Sequence, residues 1–143
     1  MPTTPKQLLA LDIGEKRIGT ALTSNLARLP RPFLTLKNSE HIFNDLLNLV
    51  QSENVMAVVI GLPRGLEGQE TAQTRTVIAF VKRLKAVLTV PLYWQDEAVT
   101  SINARLELKN RRKKSTIEDI DALAATYILE DFLNNKSRGP EHG

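Results

Sequence analysis

The chain has 143 residues, of which 42% are hydrophobic and 24% charged. That is enough for one domain with a single sizeable core and the composition of an ordinary globular protein. It contains no cysteine, which excludes disulfides, thiolate metal sites and cysteine nucleophiles. No apolar run approaches the roughly 20 residues that span a bilayer, and "MPTTPKQ" lacks the apolar centre of a secretory signal. A cytoplasmic protein without a membrane partner is therefore expected. The net charge of +3 is unevenly spread: "KNRRKK" (109–114) is basic at five of six positions, which points to a polyanion partner or to a solvated helix end.

In chain order, "QLLALDI" (7–13) reads as a strand, and the turn around Gly14 to Lys16 leads into a second, "RIGTALT". "RPFLTL" (31–36) is a third, and the tight connections predict an antiparallel meander. Ser39 is the expected cap of a helix whose apolar positions Ile42, Phe43, Leu46, Leu47, Leu49 and Val50 follow helical spacing. "VMAVVIGLP" (55–63) has the continuous apolar character of a central parallel strand. After the polar loop "RGLEGQET", Val77, Ile78, Phe80, Val81 and Leu84 mark a second amphipathic helix.

"VPLYW" (90–94) is the last expected strand, with a helical stretch from about Thr100 toward the basic cluster. Ser115 and Glu118 fit a capping box that starts a final helix near Thr116. Ile120, Leu123, Ala124, Tyr127 and Ile128 form its apolar face. One domain over 1–134 with a disordered tail over 135–143 follows. The architecture is a mixed α/β five-stranded sheet, three antiparallel strands then two parallel ones, flanked by helices.

Asp12 ends the first strand and Asp96–Glu97 follow the last, so both fall at the sheet edge where open α/β sheets gather ligands. Asp121 lies on a helix that must pack on that sheet. Singly, each acid has an ordinary role: Asp12 bonding turn backbone, Glu97 and Asp121 favouring helix N-termini. Together, three converging carboxylates need a compensating cation. All-oxygen donors without Cys or His select Mg²⁺ or Mn²⁺. Such a site suits phosphoryl chemistry, with two ions roughly 3.5–4 Å apart.

Four stretches, "LALDIGEKRIGTAL", "VVIGLPRGLEGQET", "YWQDEAVTS" and "IDALAATYILEDFL", together resemble the YqgF/RuvX family in order and spacing, over nearly the whole chain. The resemblance implies a three-layer ribonuclease H-like fold and a nuclease active in 5′-end maturation of pre-16S rRNA. It further implies that Asp12, Glu97 and Asp121 are metal-binding catalytic residues, and that Lys16 and Arg17 steer a phosphate. Gly61, Leu62 and Pro63 match the family's "G-L-P" loop, which puts Arg64 beside the substrate path. In one departure, Ala98 stands where the family carries an arginine, which removes a guanidinium able to clamp a phosphate. Arg105, or Lys109, Arg111, Arg112, Lys113 and Lys114, are the candidate replacements.

The expected substrate is structured RNA such as pre-16S rRNA. Branched DNA is the alternative, and symmetric resolution of a junction requires two active sites and hence a dimer. No stretch of the sequence identifies a dimer surface, so monomer and homodimer stay open. A non-catalytic nucleic-acid-binding module is the further alternative. It predicts salt-dependent binding without cleavage.

Overall fold

A computed structural model describes residues 5–112 and 115–135, without the Arg112 side chain. The chain order is β1 (Gln7–Ile13), β2 (Arg17–Ser24), β3 (Arg31–Lys37), α1 (Ile42–Ser52), β4 (Val55–Arg64), α2 (Ala72–Lys85), β5 (Leu92–Ala98), α3 (Val99–Arg112) and α4 (Ile117–Asn134). The strands form one five-stranded sheet in the order β3-β2-β1-β4-β5. Strands β1, β2 and β3 pair antiparallel, while β4 pairs parallel with both β1 and β5. This is the expected sheet. Lys113, Lys114 and the expected 135–143 tail beyond Asn135 lie outside the described residues.

Strand alternation sorts the side chains into two unlike cores. On one face Leu9, Leu11, Ile18, Leu22, Val58 and Ile60 meet α1 and α2 through Leu46, Val77 and Leu84 in a large aliphatic core. On the other, the small residues Ala10 and Ala21 with Val59 meet Ala125, Ile128 and Leu129 of α4. Small side chains on both surfaces let α4 approach the sheet closely. At Gly19 of β2 the approach is closest: a Cβ there would lie 2.0 Å from the backbone oxygen of Asp121. Such a contact is possible only with glycine.

Among the boundaries that differ from the sequence reading, three have a clear physical reason. Strand β5 does not stop at Trp94, because its ladder with β4 runs on through Gly61↔Gln95 and Pro63↔Glu97 to Arg64↔Ala98. Glu97 thus lies inside the strand, and it shares a face with Tyr93, which packs edge-on against Phe132 of α4. Helix α1 starts after His41, with no side-chain cap; Ser39 instead accepts the His41 N–H at 3.2 Å in the turn before it. The capping box of α4 is Thr116 with Asp119, one residue later than expected. Thr35 of β3 donates to the Glu118 carbonyl at 2.6 Å and ties this first turn to the sheet. No helix among the described residues is long and apolar enough to cross a membrane.

Candidate active site

The α4 face of the sheet carries Asp12 on β1, Gly61 and Pro63 on β4, and Glu97 on β5. With Asp121 of α4 and Ile102 of α3, they line a cavity of about 240 Å³. Asp12 is cross-strand from Gly19, the glycine on which the Asp121 backbone rests. The two carboxylates are therefore neighbours by construction. Burial first, and the Asp121 charge second, push the Asp12 carboxyl up to about 6 from an ordinary 3.8.

Glu97 stands apart from that pair. β4 runs between β1 and β5, and two strand spacings amount to roughly 9–10 Å. Burial, and then a hydrogen bond with Asp131, push its carboxyl up to about 9. Glu97 Oε1 is buried without a hydrogen-bond partner. Asp131 is the neighbour of Glu97 that sequence reasoning missed. It lies ten residues beyond Asp121 on the same helix, and no spacing rule distinguishes it from an ordinary surface acid.

The basic candidates fall into separate groups. Arg17 donates from Nε to Asp121 Oδ2 at 2.6 Å. Lys16 is exposed at the hairpin turn, and Gly14 accommodates that turn because a Cβ would lie 2.6 Å from the Arg17 carbonyl oxygen. Arg64 at the end of β4 sits 3.6 Å from Asp96. Arg105 donates to Asp131 at 2.9 Å and Glu130 at 3.1 Å and lies 4.1 Å over the Tyr127 ring. Its guanidinium is engaged with α4. Arg111 pairs with Glu107 one turn away, and Lys109 lines a different depression, with Thr35 and Glu118.

Asp12, Asp121 and Glu97 therefore open on one cavity, but among the described residues no three acidic or histidine side chains are close enough to share an ion. The donors fit a hard divalent cation in their chemistry. All are carboxylate oxygens, one is buried and unpartnered, and two repel each other. Such a set suits Mg²⁺ or Mn²⁺ and no soft metal.

A family model described as "RuvX: Holliday junction resolvase" matches residues 6–135. Over 139 residues the chain is 38% identical to a protein of Rickettsia typhi named "Putative pre-16S rRNA nuclease", covering 94% of this chain and 87% of the relative. A Sulfurihydrogenibium relative of the same name is 35% identical over 133 residues, 92% of each chain. Among solved structures, Thermus thermophilus RuvC in complex with a Holliday junction substrate superposes with a TM-score of 0.60, at 15% identity over 95% of this chain and 99% of that one. At that identity the likeness speaks for the fold alone, and with the sheet order it establishes the ribonuclease H-like architecture. On the match over residues 6–135 and the identity to these relatives, the chain belongs to the RuvX family.

Proposed function

We propose that this protein is a metal-dependent endonuclease that hydrolyses phosphodiester bonds, and that its substrate is the 5′ region of pre-16S rRNA. The observation that carries this reading is the cavity into which Asp12, Asp121 and Glu97 open from three different elements. A nuclease needs concentrated negative charge at a place where nucleic acid itself is negative, and only bound cations reconcile the two. The names of the 31–38% identical relatives support rRNA as the substrate.

Asp12 and Asp121 would hold a divalent ion together, and Glu97 would complete the ligation after leaving Asp131. Bound there, the ion would lower the pKa of a water and stabilise the charge that develops on the phosphate. The protein's own contributions are positional. Gly61 and Pro63 give the strand beside Asp12 a low profile, and Ile102 and Ile128 wall the cavity with apolar surface. Apolar walls strengthen every charge interaction inside. Lys16 and Arg17 stand at the hairpin turn, where a phosphate backbone would pass.

Branched DNA is the second reading, favoured by the description of the family model. Incubation of the purified protein with a pre-16S rRNA precursor and with a four-way DNA junction, each in Mn²⁺, decides between them. We expect cleavage of the RNA, loss of cleavage in chelator, and loss in Asp12→Asn. Equal cleavage by Asp12→Asn would refute the assignment, and cutting of the junction alone would move the substrate to DNA.

A further inference from the structure

Arg17 bonds the same carboxylate that a cation would need. Its Nε lies 2.6 Å from Asp121 Oδ2, and the pair joins the β1–β2 hairpin to α4 across 104 residues of sequence. Both side chains are partly open to solvent, 36% for Arg17 and 21% for Asp121. Ion pairs so exposed contribute little to stability. The larger consequence of this pair is therefore for the charge of the site: two neighbouring carboxylates, Asp12 and Asp121, are offset by one guanidinium.

The partners are not equally free to move. Asp121 is fixed, because its backbone rests on Gly19 with no room for a Cβ. Arg17 reaches it from the start of β2 on a long stem beside the exposed hairpin turn. A divalent ion brings twice the charge of the guanidinium to the same oxygen. If both compete for Asp121, the side chain that yields is Arg17. Once released at the rim of the cavity, its planar fork is matched to two oxygens of a phosphate.

Resting on the ion-dependent reading above, we propose that Arg17 is an exchangeable counter-ion. It holds Asp121 while no divalent ion is bound, and ion binding hands it to the nucleic-acid phosphate. Ion and nucleic acid then bind with positive coupling, and the coupling is reciprocal.

The test uses the full-length chain as wild type, Arg17→Gln and Asp12→Asn. Calorimetry measures Mn²⁺ binding, and a short RNA hairpin is titrated with and without Ca²⁺, a hard cation of the same ligand preference. The exchange predicts that Arg17→Gln binds Mn²⁺ at least about fivefold tighter than wild type. It predicts that Ca²⁺ tightens RNA binding about tenfold in wild type and less than about twofold in the variant. In wild type, the Arg17 Nε–Hε resonance should shift on titration with Mg²⁺, which a purely structural pair would not show. Unchanged or weaker Mn²⁺ binding by Arg17→Gln, or an undiminished gain in RNA affinity, would overturn the exchange. If wild type binds Mn²⁺ and Asp12→Asn does not, the ion-dependent reading stands and the Arg17 results alone decide. If wild type binds no Mn²⁺, both fall.

Discussion

Asp12 titrates at about 6 in the folded chain and at an ordinary 3.8 when exposed, so the native state holds an extra proton between those values. In the absence of metal, its contribution to stability is fully present below 3.8 and is lost as pH rises through 6. Removing the charge should therefore help the fold. In chelator at pH 8, Asp12→Asn should be more stable than wild type by on the order of 1–3 kcal/mol. The advantage should vanish near pH 4, which denaturant titrations at the two pH values would check; a less stable variant at pH 8 would contradict it. The position of Asp12 at a strand end was legible in the sequence, because an acid closing an apolar run is conspicuous. The pairing of Arg17 with Asp121, and of Glu97 with Asp131, was not: these contacts join residues 104 and 34 positions apart, and neither has a local signature.

At the scale of elements, the site depends on how closely α4 approaches β2. Gly19→Ala would place a methyl group 2.0 Å from the Asp121 backbone oxygen. Backbone cannot yield as a side-chain tip can, so the helix start must lift. Overpacking of this kind costs roughly 1–3 kcal/mol, and here it would also move Asp121 away from Asp12. Thermal unfolding should show the loss and calorimetry a weakened Mn²⁺ affinity; a variant with wild-type stability would show that α4 is not seated as described. The strand and helix order was readable from alternation and helical spacing, since both report which face is buried. The end of β5 was not, because Gln95, Asp96 and Glu97 are held in the sheet by β4 rather than by any β propensity of their own. The capping box was displaced by one residue because Ser115/Glu118 and Thr116/Asp119 both satisfy the pattern, and only the extended backbone at Thr116 selects the second.

For the molecule as a whole, the candidate basic side chains among the described residues are dispersed. Lys16 and Arg17 stand at the hairpin, whereas Lys109 and Arg111 lie along α3 outside the carboxylate cavity. Charge reversal is unnecessary to separate their roles. The double substitution Lys109→Ala with Arg111→Ala should weaken RNA binding and flatten the slope of log affinity against log salt by roughly 1–2. The cleavage rate at saturating RNA should stay within about twofold, as expected when backbone contacts outside the reacting centre are lost. An unchanged salt dependence would remove α3 from the interface. Arg105, a candidate replacement for the arginine that Ala98 displaces, is tied instead to Glu130 and Asp131. Sequence alone listed its charge but could not show where that charge is spent.

On the proposed function, Asp12 and Asp121 hold a divalent cation and Glu97 leaves Asp131 to join them. A crystal structure of the full chain soaked in Mn²⁺, with anomalous data collected at the manganese edge, tests it most directly. The expected result is an anomalous peak ligated by Asp12 and Asp121 and touching Glu97, with Glu97 released from Asp131 and Arg17 displaced from Asp121. Absence of manganese at these carboxylates at saturating Mn²⁺, with Arg17 still on Asp121 and Glu97 still on Asp131, would contradict it.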